Sequence, residues 1–282
     1  MIKPSEENPL AGSRKVLVLG TFLLAAFMAL SLLGASPARA STTFTVTDPG
    51  DSLCSGGACT LRAAILAANS TPNAGGPDTI NFDIPGDGPH TIKLDDPLPS
   101  ILDPVIIDGY TQPGASPNTL AKGTNAKPMI ELDGENAGNA GGLDVRAPGS
   151  VVRGLAINRF SSYGILVCGD SVTGVKIEGN FIGTDPTGTQ DLGNGTLGVN
   201  MLLSSGNTVG GTTPEARNLI SGNEGDGVVS SYGPLGNKVY GNLIGTKSDG
   251  KGALGNADDG VDIWGGSANF VGGGRPKLRP TP

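Results

Sequence analysis

Between residues 142 and 264 the chain returns again and again to one short pattern: a glycine opening a run in which aliphatic and other side chains alternate. It starts at Gly142 (GLDV), Gly164 (GILV), Gly198 (GVNM), Gly227 (GVVS) and Gly260 (GVDI), at intervals of 22, 34, 29 and 33 residues. Inside the intervals a second short apolar run follows, at 175–177, 207–209, 237–239 and 269–271, and then a third apolar step at Ile182, Ile220 and Ile244. Alternation with a period of two predicts strands, three to an interval, and no stretch from 142 to 273 sustains a helical period. Upstream, VIIDG (105–109) and MIELDG (129–134) read as two earlier coils joined by a longer Pro/Gly/Asn loop. Six or seven coils would make a rod of roughly 30 Å at the 4.7–4.9 Å spacing of paired strands.

The intervals belong to a longer repeat. Residues 179–211 reappear with an offset of 62 at 241–273, and Asn180/Asn242, Thr184/Thr246, Leu192/Leu254, Asn194/Asn256, Val199/Val261 and Asn207/Asn269 coincide. Such self-similarity is the signature of a solenoid, whose units bury apolar residues against their neighbours. The Gly-Asn pairs supply the corners, because both residues enter left-handed backbone at low strain. Asparagines at one place in successive coils also exchange amide hydrogen bonds along the stack. Asn180, Asn194, Asn223, Asn242 and Asn256 are therefore read as structural.

Before the coils stands CTLRAAILAANS, the helical signal of the region after residue 41: Thr60 is a candidate N-cap, Leu61, Ala64, Ile65 and Ala68 form an apolar face, and Asn69 suits the stop. A short amphipathic helix there would cover the unpaired strands of the first coil, with DTINF and TIKL supplying strands beneath it. The run Cys54-x4-CTLRAAILAAN, followed by DTINF, TIKL, LPSI, VIIDGYTQPG and the IGT/LGN/VGGT repeats, resembles bacterial exported proteins with a CSLREA-type N-terminal domain. The resemblance spans almost all of residues 42–273, with Ala63 where the family motif usually has Glu. It implies an all-β chain, a right-handed parallel β-helix of the pectate-lyase type with a short N-terminal capping helix. It implies no reaction, since fold alone does not assign function.

Four segments follow: 1–40 a signal peptide, 41–104 a CSLREA-like cap segment, 105–273 the coils, and 274–282 an irregular tail. Lys3, Arg14 and Lys15 precede the apolar run 16–33, and Ala38-Arg39-Ala40 is an A-x-A cleavage site. Small residues and a proline before the site favour cleavage; an uncleaved anchor is the other reading, because 18 apolar residues sit at the lower limit for a span. The chain is thus expected to be exported, secreted or held at the cell surface. The tail GRPKLRPTP breaks the repeat, and both a short native tail and a truncated coil fit it.

Charge and composition narrow the partners. The net charge is −7, with 16% charged and 4% aromatic residues among 282. That balance gives no electrostatic footprint for nucleic acid, and after cleavage no stretch beyond Ser41 would insert in a membrane. Cys54 and Cys59, which enclose SGGA, would be free to form a disulfide outside the cytoplasm, or to remain two thiols. Cys168 reads as a small buried strand residue.

Candidate chemistry is sparse. Asp226 and Asp259, with Asp258 and Asp262 nearby, form the one dense acidic group on the coils and would lie close together, since each of the first two precedes a Gly-Val strand. They are the best catalytic candidates for polysaccharide cleavage, and no catalytic residue is assigned. Hydrolases of this kind carry a histidine on a neighbouring coil, whereas His90, the single histidine, lies upstream. The candidate lyase bases Arg217, Lys238 and Lys247 are scattered. No cofactor or metal set is implied; DPTGTQD (185–191) could hold Ca²⁺, but its counterpart keeps only Asp249 as an acid. The positive feature is geometric: the enlarged turns IGTDPTGTQDLGN, GGTTPEARN and IGTKSDGKGALGN should line up along one side. Thr184, Asp185, Asn194, Thr246 and Asn256 then become candidate contacts to a neutral glycan or a surface protein, with Trp264 and Tyr240 available to stack on a sugar. The expectation is a binding or structural module, with a polysaccharide-degrading enzyme as the alternative.

Overall fold

A computed structural model describes residues 41–53, 59–73 and 75–272. The segments assigned to the signal peptide and the tail lie outside these residues, as does Cys54 and with it the expected Cys54–Cys59 link.

The chain is built of parallel strands in three sheets. The largest contains, in spatial order, β1 (Thr43–Val46), β2 (Asp78–Phe82), β4 (Val105–Asp108), β7 (Val151–Arg153), β10 (Lys176–Glu178), β13 (Thr208–Gly210), β16 (Lys238–Tyr240) and β19 (Phe270–Gly272). A six-stranded sheet contains β3 (His90–Lys93), β5 (Ile130–Asp133), β8 (Leu155–Asn158), β11 (Phe181–Ile182), β14 (Leu219–Ile220) and β17 (Leu243–Ile244). A five-stranded sheet contains β6 (Leu143–Val145), β9 (Ile165–Cys168), β12 (Val199–Leu202), β15 (Val228–Ser231) and β18 (Val261–Trp264). From β2 onward the chain visits the eight-, six- and five-stranded sheets in that fixed rotation, and in the first pass an isolated bridge from Ile101 to Val145 takes the third place. VIIDG and MIELDG are therefore consecutive strands of one pass rather than two coils. The loop between them is an insertion within a turn, which the sequence could not distinguish from a connection between turns.

Register follows the apolar landmarks. Val199 pairs with Ile165 on one side and Val228 on the other, and Val228 pairs with Val261. The inward residues stack in columns: Ile107, Val152, Ile177, Val209 and Val239 in the largest sheet, Leu132, Ile157, Ile182 and Ile220 in the second, and Ile165, Val199 and Val228 in the third. All are buried in one continuous core. The glycines that open β6, β9, β12 and β15 are required by close approach. A Cβ at Gly198 would stand 2.5 Å from the Gly227 carbonyl oxygen and 2.7 Å from Ile220 Cγ2.

Three asparagine ladders hold the corners. Asn180 Nδ2 donates to Asn218 Oδ1 (3.3 Å) and Asn218 Nδ2 to Asn242 Oδ1 (2.9 Å), where the chain passes from the largest to the six-stranded sheet. Asn194 Nδ2 donates to Asn223 Oδ1 and Asn223 Nδ2 to Asn256 Oδ1, both at 2.9 Å, on the way to the five-stranded sheet. At the third corner the link runs through the backbone: Asn207 N–H donates to Asn237 Oδ1 (2.8 Å) and Asn237 N–H to Asn269 Oδ1 (2.9 Å). Each side-chain amide also donates to a carbonyl of the preceding pass, as Asn218 does to Ile177 O (2.8 Å).

The helix α1 (Leu61–Ser70) packs on β1 and β2 with Leu61, Ala64, Ile65 and Ala68 buried, and Thr60 Oγ1 accepts from Ala63 N–H as the N-cap. Asn69 does more than end it: its side chain donates to Ser100 O and accepts from Leu102 N–H. Arg62 forms a two-toothed pair with Asp51 and donates to the Pro97 and Asp96 carbonyls, fastening the helix to the turn after β3.

Replacing Asn223 with alanine removes an acceptor from Asn194 and a donor from Ile182 O in a buried setting. Orphaned buried groups cost about 1–3 kcal/mol each, so Asn223→Ala should lower the denaturant midpoint clearly. Gly198→Ala should do the same by steric overlap. Equilibrium unfolding of both variants beside the parent checks this.

Candidate functional site

The outward face of the six-stranded sheet is closed. Ala156, Phe181 and Leu219 lie buried there against Ala126, with Leu243 alongside. The cover is a strap, residues 112–128, which folds back at the Ser116–Lys127 bridge and reaches the far turn, where Thr124 N–H donates to Ser248 O (2.7 Å). Asn118 Nδ2 donates to Pro214 O (3.0 Å). Arg217 clasps the strap tip: Nη1 donates to Leu120 O and Gly123 O, Nη2 to Ala121 O, and Nε to Gly241 O. A guanidinium committed to four carbonyls is a fastener, which removes Arg217 from the candidate bases. Lys238 points outward from the largest sheet, and Lys247 sits in a turn whose N–H donates to Gly252 O (2.7 Å).

The two IGT…LGN turns share the border between the six- and five-stranded sheets and touch, Ser248 N–H donating to Gly188 O (2.9 Å). GGTTPEARN lies at the other border, beside the strap, so the three do not form one row. The candidate contacts in the turns are occupied internally. Thr184 and Asn194 are fully buried, and Asn194 and Asn256 are rungs of a ladder. Asp185 accepts from Thr187 Oγ1 and from the amides of Thr187, Thr189 and Gln190. Burial alone would raise its carboxyl, but these hydrogen bonds outweigh that and hold it below the usual carboxylate range. Thr246 Oγ1 is buried and without a hydrogen-bond partner. Asp249 organises the second turn through the Gly252 and Lys251 amides, which lower its pKa. At Thr184, Asp185, Asn194 and Asn256 the side-chain polar groups are thus consumed in shaping the turns, whereas the Thr246 hydroxyl is not. The DPTGTQD turn is closed in the same way, with Asp191 Oδ1 accepting from Gly193 N–H.

The acidic group is assembled as its spacing predicts. One carboxylate oxygen from each of Asp226, Asp259 and Asp262 lies within 4.8 Å of the others, and Asp226 Oδ1 accepts from Asp259 N–H (2.8 Å). Among the described residues these are the side chains that converge closely enough to hold a cation. Desolvation raises the Asp226 pKa, and the charges of Asp262, Asp258 and Asp259 raise it further against the hydrogen bond from Asp259 N–H, which lowers it. Asp262 also accepts from Trp264 Nε1, which orients the indole. Trp264 is 61% exposed, and Tyr232, which follows the register partner of Trp264, is 69% exposed with φ 64°. A bulky residue in left-handed backbone is uncommon. Nothing in the sequence flagged Tyr232 except its place just after the GVVSS run. Tyr240 lies elsewhere, on the largest sheet, in an edge-on contact with Phe270 (6.0 Å).

Two other places hold no such constellation. His90 is on β3, the edge of its sheet opposite β17. A cavity of about 980 Å³ beside the strap tip is walled by Val239, Val261 and Val271 and has one carboxylate, Asp249, at its rim. Cys168 is half-buried on the outward face of the five-stranded sheet, less enclosed than a core residue.

A raised Asp226 pKa means that the folded state holds its proton to higher pH than the unfolded chain, so stability falls as pH rises through that window. Asp226→Asn keeps the acceptor for Asp259 N–H and cannot ionise. It should raise the melting midpoint at pH 7 slightly, and the gain should vanish at pH values where the carboxyl is protonated in both states. Thermal melts across pH measure this. Compared with protein-family models and with curated protein sequences, the chain matches none, so its function is argued from this site.

Proposed function

We propose that this chain is an exported right-handed parallel β-helix that serves as a binding module for neutral glycans, with the outward face of the five-stranded sheet at its β15–β18 edge as its contact surface. The fixed rotation through three all-parallel sheets supports the solenoid, and right-handed crossovers are the rule for parallel strands. The A-x-A site at 38–40 supports export. Among the described residues no helix is long and apolar enough to cross a membrane.

The observation that carries the binding reading is the indole of Trp264, exposed and held by Asp262, next to the converging aspartates. An aromatic ring offers a flat apolar surface to the C–H face of a sugar, and adjacent carboxylates accept hydrogen bonds from neighbouring hydroxyls. Polyuronates are disfavoured by the same carboxylates unless a cation bridges them. The enzyme alternative fits less well. Inverting hydrolysis separates its carboxyl groups by about 6.5–9.5 Å, whereas the oxygens here lie within 4.8 Å.

Affinity electrophoresis in gels containing a soluble neutral glucan should retard the protein, and Trp264→Ala should weaken retention by about 3- to 10-fold, the range expected of one stacking contact. Retention that is unchanged in Trp264→Ala would reject the surface. Reducing ends or unsaturated uronates released from a pectin-like polymer, and abolished by Asp226→Asn or Asp259→Asn with the fold intact, would establish the enzyme instead.

A further inference from the structure

Asp78 opens β2 and is 1% exposed. Its Oδ1 accepts from Thr42 N–H at 2.6 Å, and its own N–H donates to Asn73 Oδ1 (2.9 Å). Its Oδ2 is buried and has no hydrogen-bond partner. A buried carboxylate left half-satisfied is costly, and the usual remedy is a cation. The elements packed around it supply none. β1 brings Thr42 and Thr43, and β4 brings Val105 as the register partner. Asp108, also on β4, pairs with Arg153, and Arg62, the charged residue of α1, is spent on Asp51. Among the described residues, no ion pair includes Asp78.

The missing cation is written in the sequence one residue before the contact. Ala38-Arg39-Ala40 precedes Ser41, and Ser41 precedes the Thr42 amide that touches Asp78. While the Ala40–Ser41 peptide bond is intact, the Ser41 nitrogen is a neutral amide. Hydrolysis adds one water across that bond, leaving a carboxylate on Ala40 and an α-ammonium on Ser41. Neighbouring Cα atoms are about 3.8 Å apart and the Thr42 N–H already meets Asp78 Oδ1 at 2.6 Å, which puts a new ammonium on Ser41 within reach of that carboxylate.

We propose that cleavage after Ala40 completes the fold: the α-ammonium of Ser41 pairs with Asp78 Oδ2 and locks β1, the edge strand, onto β2. The processed chain is then more stable than any form whose nitrogen at Ser41 is acylated. The pair contributes fully while the amine is charged and is lost as pH rises above the roughly 7.7–8.0 of a free α-amino group and through its raised value in the pair.

The test uses the whole chain expressed with export. The purified product is sequenced from its N-terminus and should begin at Ser41. A second version carries two glycines inserted between Ala40 and Ser41, so that processing leaves the ammonium displaced from Asp78. At pH 6–7 the parent should melt about 2–4 °C above the insertion variant, and the gap should close at pH 10. In an Asp78→Asn background the two N-termini should melt alike; should that variant fail to fold, Asp78→Ser serves the same comparison. A mature N-terminus at another residue, equal midpoints for the two versions at pH 7, or a gap that survives loss of the Asp78 carboxylate would each overturn the proposal.

Discussion

The structure depends on solving one problem: a chain that passes repeatedly among three parallel sheets must change sheet without leaving buried backbone groups unpaired. Paired parallel strands need a long crossover, and here the crossover is the chain's own course through the other two sheets, with links as short as the single residue Gly154 between β7 and β8. At such tight corners the carbonyl and amide groups fall between sheets and lose their ladder partners. Asparagine answers this because it carries both a donor and an acceptor on a short arm. Each rung donates an amide to a carbonyl of the preceding pass and accepts a hydrogen bond from that same pass, as Asn218 does with Ile177 O and Asn180 N–H. The ladders are cooperative by construction, since any missing rung strands groups on both neighbours.

That solution has a consequence for the outer surface. Polar side chains in the corners are committed inward, so recognition has to come from insertions or from the outward faces of the sheets. The insertions are spent as well: the strap, the Thr213–Arg217 turn and the two IGT…LGN turns seal one sheet face over Phe181 and Leu219, with Arg217 as the fastener. What remains outward and unspent is concentrated near β15 and β18, where acidic and aromatic side chains share a sheet edge.

The aspartates there show how such a stack generates function at low structural cost. Register places a residue of one pass beside its counterpart in the next, so Asp226 and Asp259 meet because each precedes a Gly-Val strand. Their mutual repulsion is held by backbone hydrogen bonds that serve the stack anyway, such as Asp259 N–H to Asp226. A sheet edge can therefore carry concentrated charge without a dedicated scaffold.

The sequence by itself determined the helix and, from residue 142 onward, the strands and their register. Period-two alternation, the 62-residue offset and the Gly-Val landmarks are local signals, and they place Val199 beside Val228 and Val261 as observed. It also marked the acidic group, because register converts sequence position into neighbourhood. Only the tertiary structure decided which side chains were free. Thr184 looks like a surface turn residue in one dimension and is wholly buried in three. Arg217 resembles a spare base until its carbonyl partners, 94–97 residues away in the chain, are seen. The assignment of β4 and β5 to one pass was likewise invisible, because a long insertion inside a turn and a connection between turns have the same composition. Periodicity reports what a residue does along its own strand; exposure depends on insertions that cross from distant passes, and no local pattern encodes those.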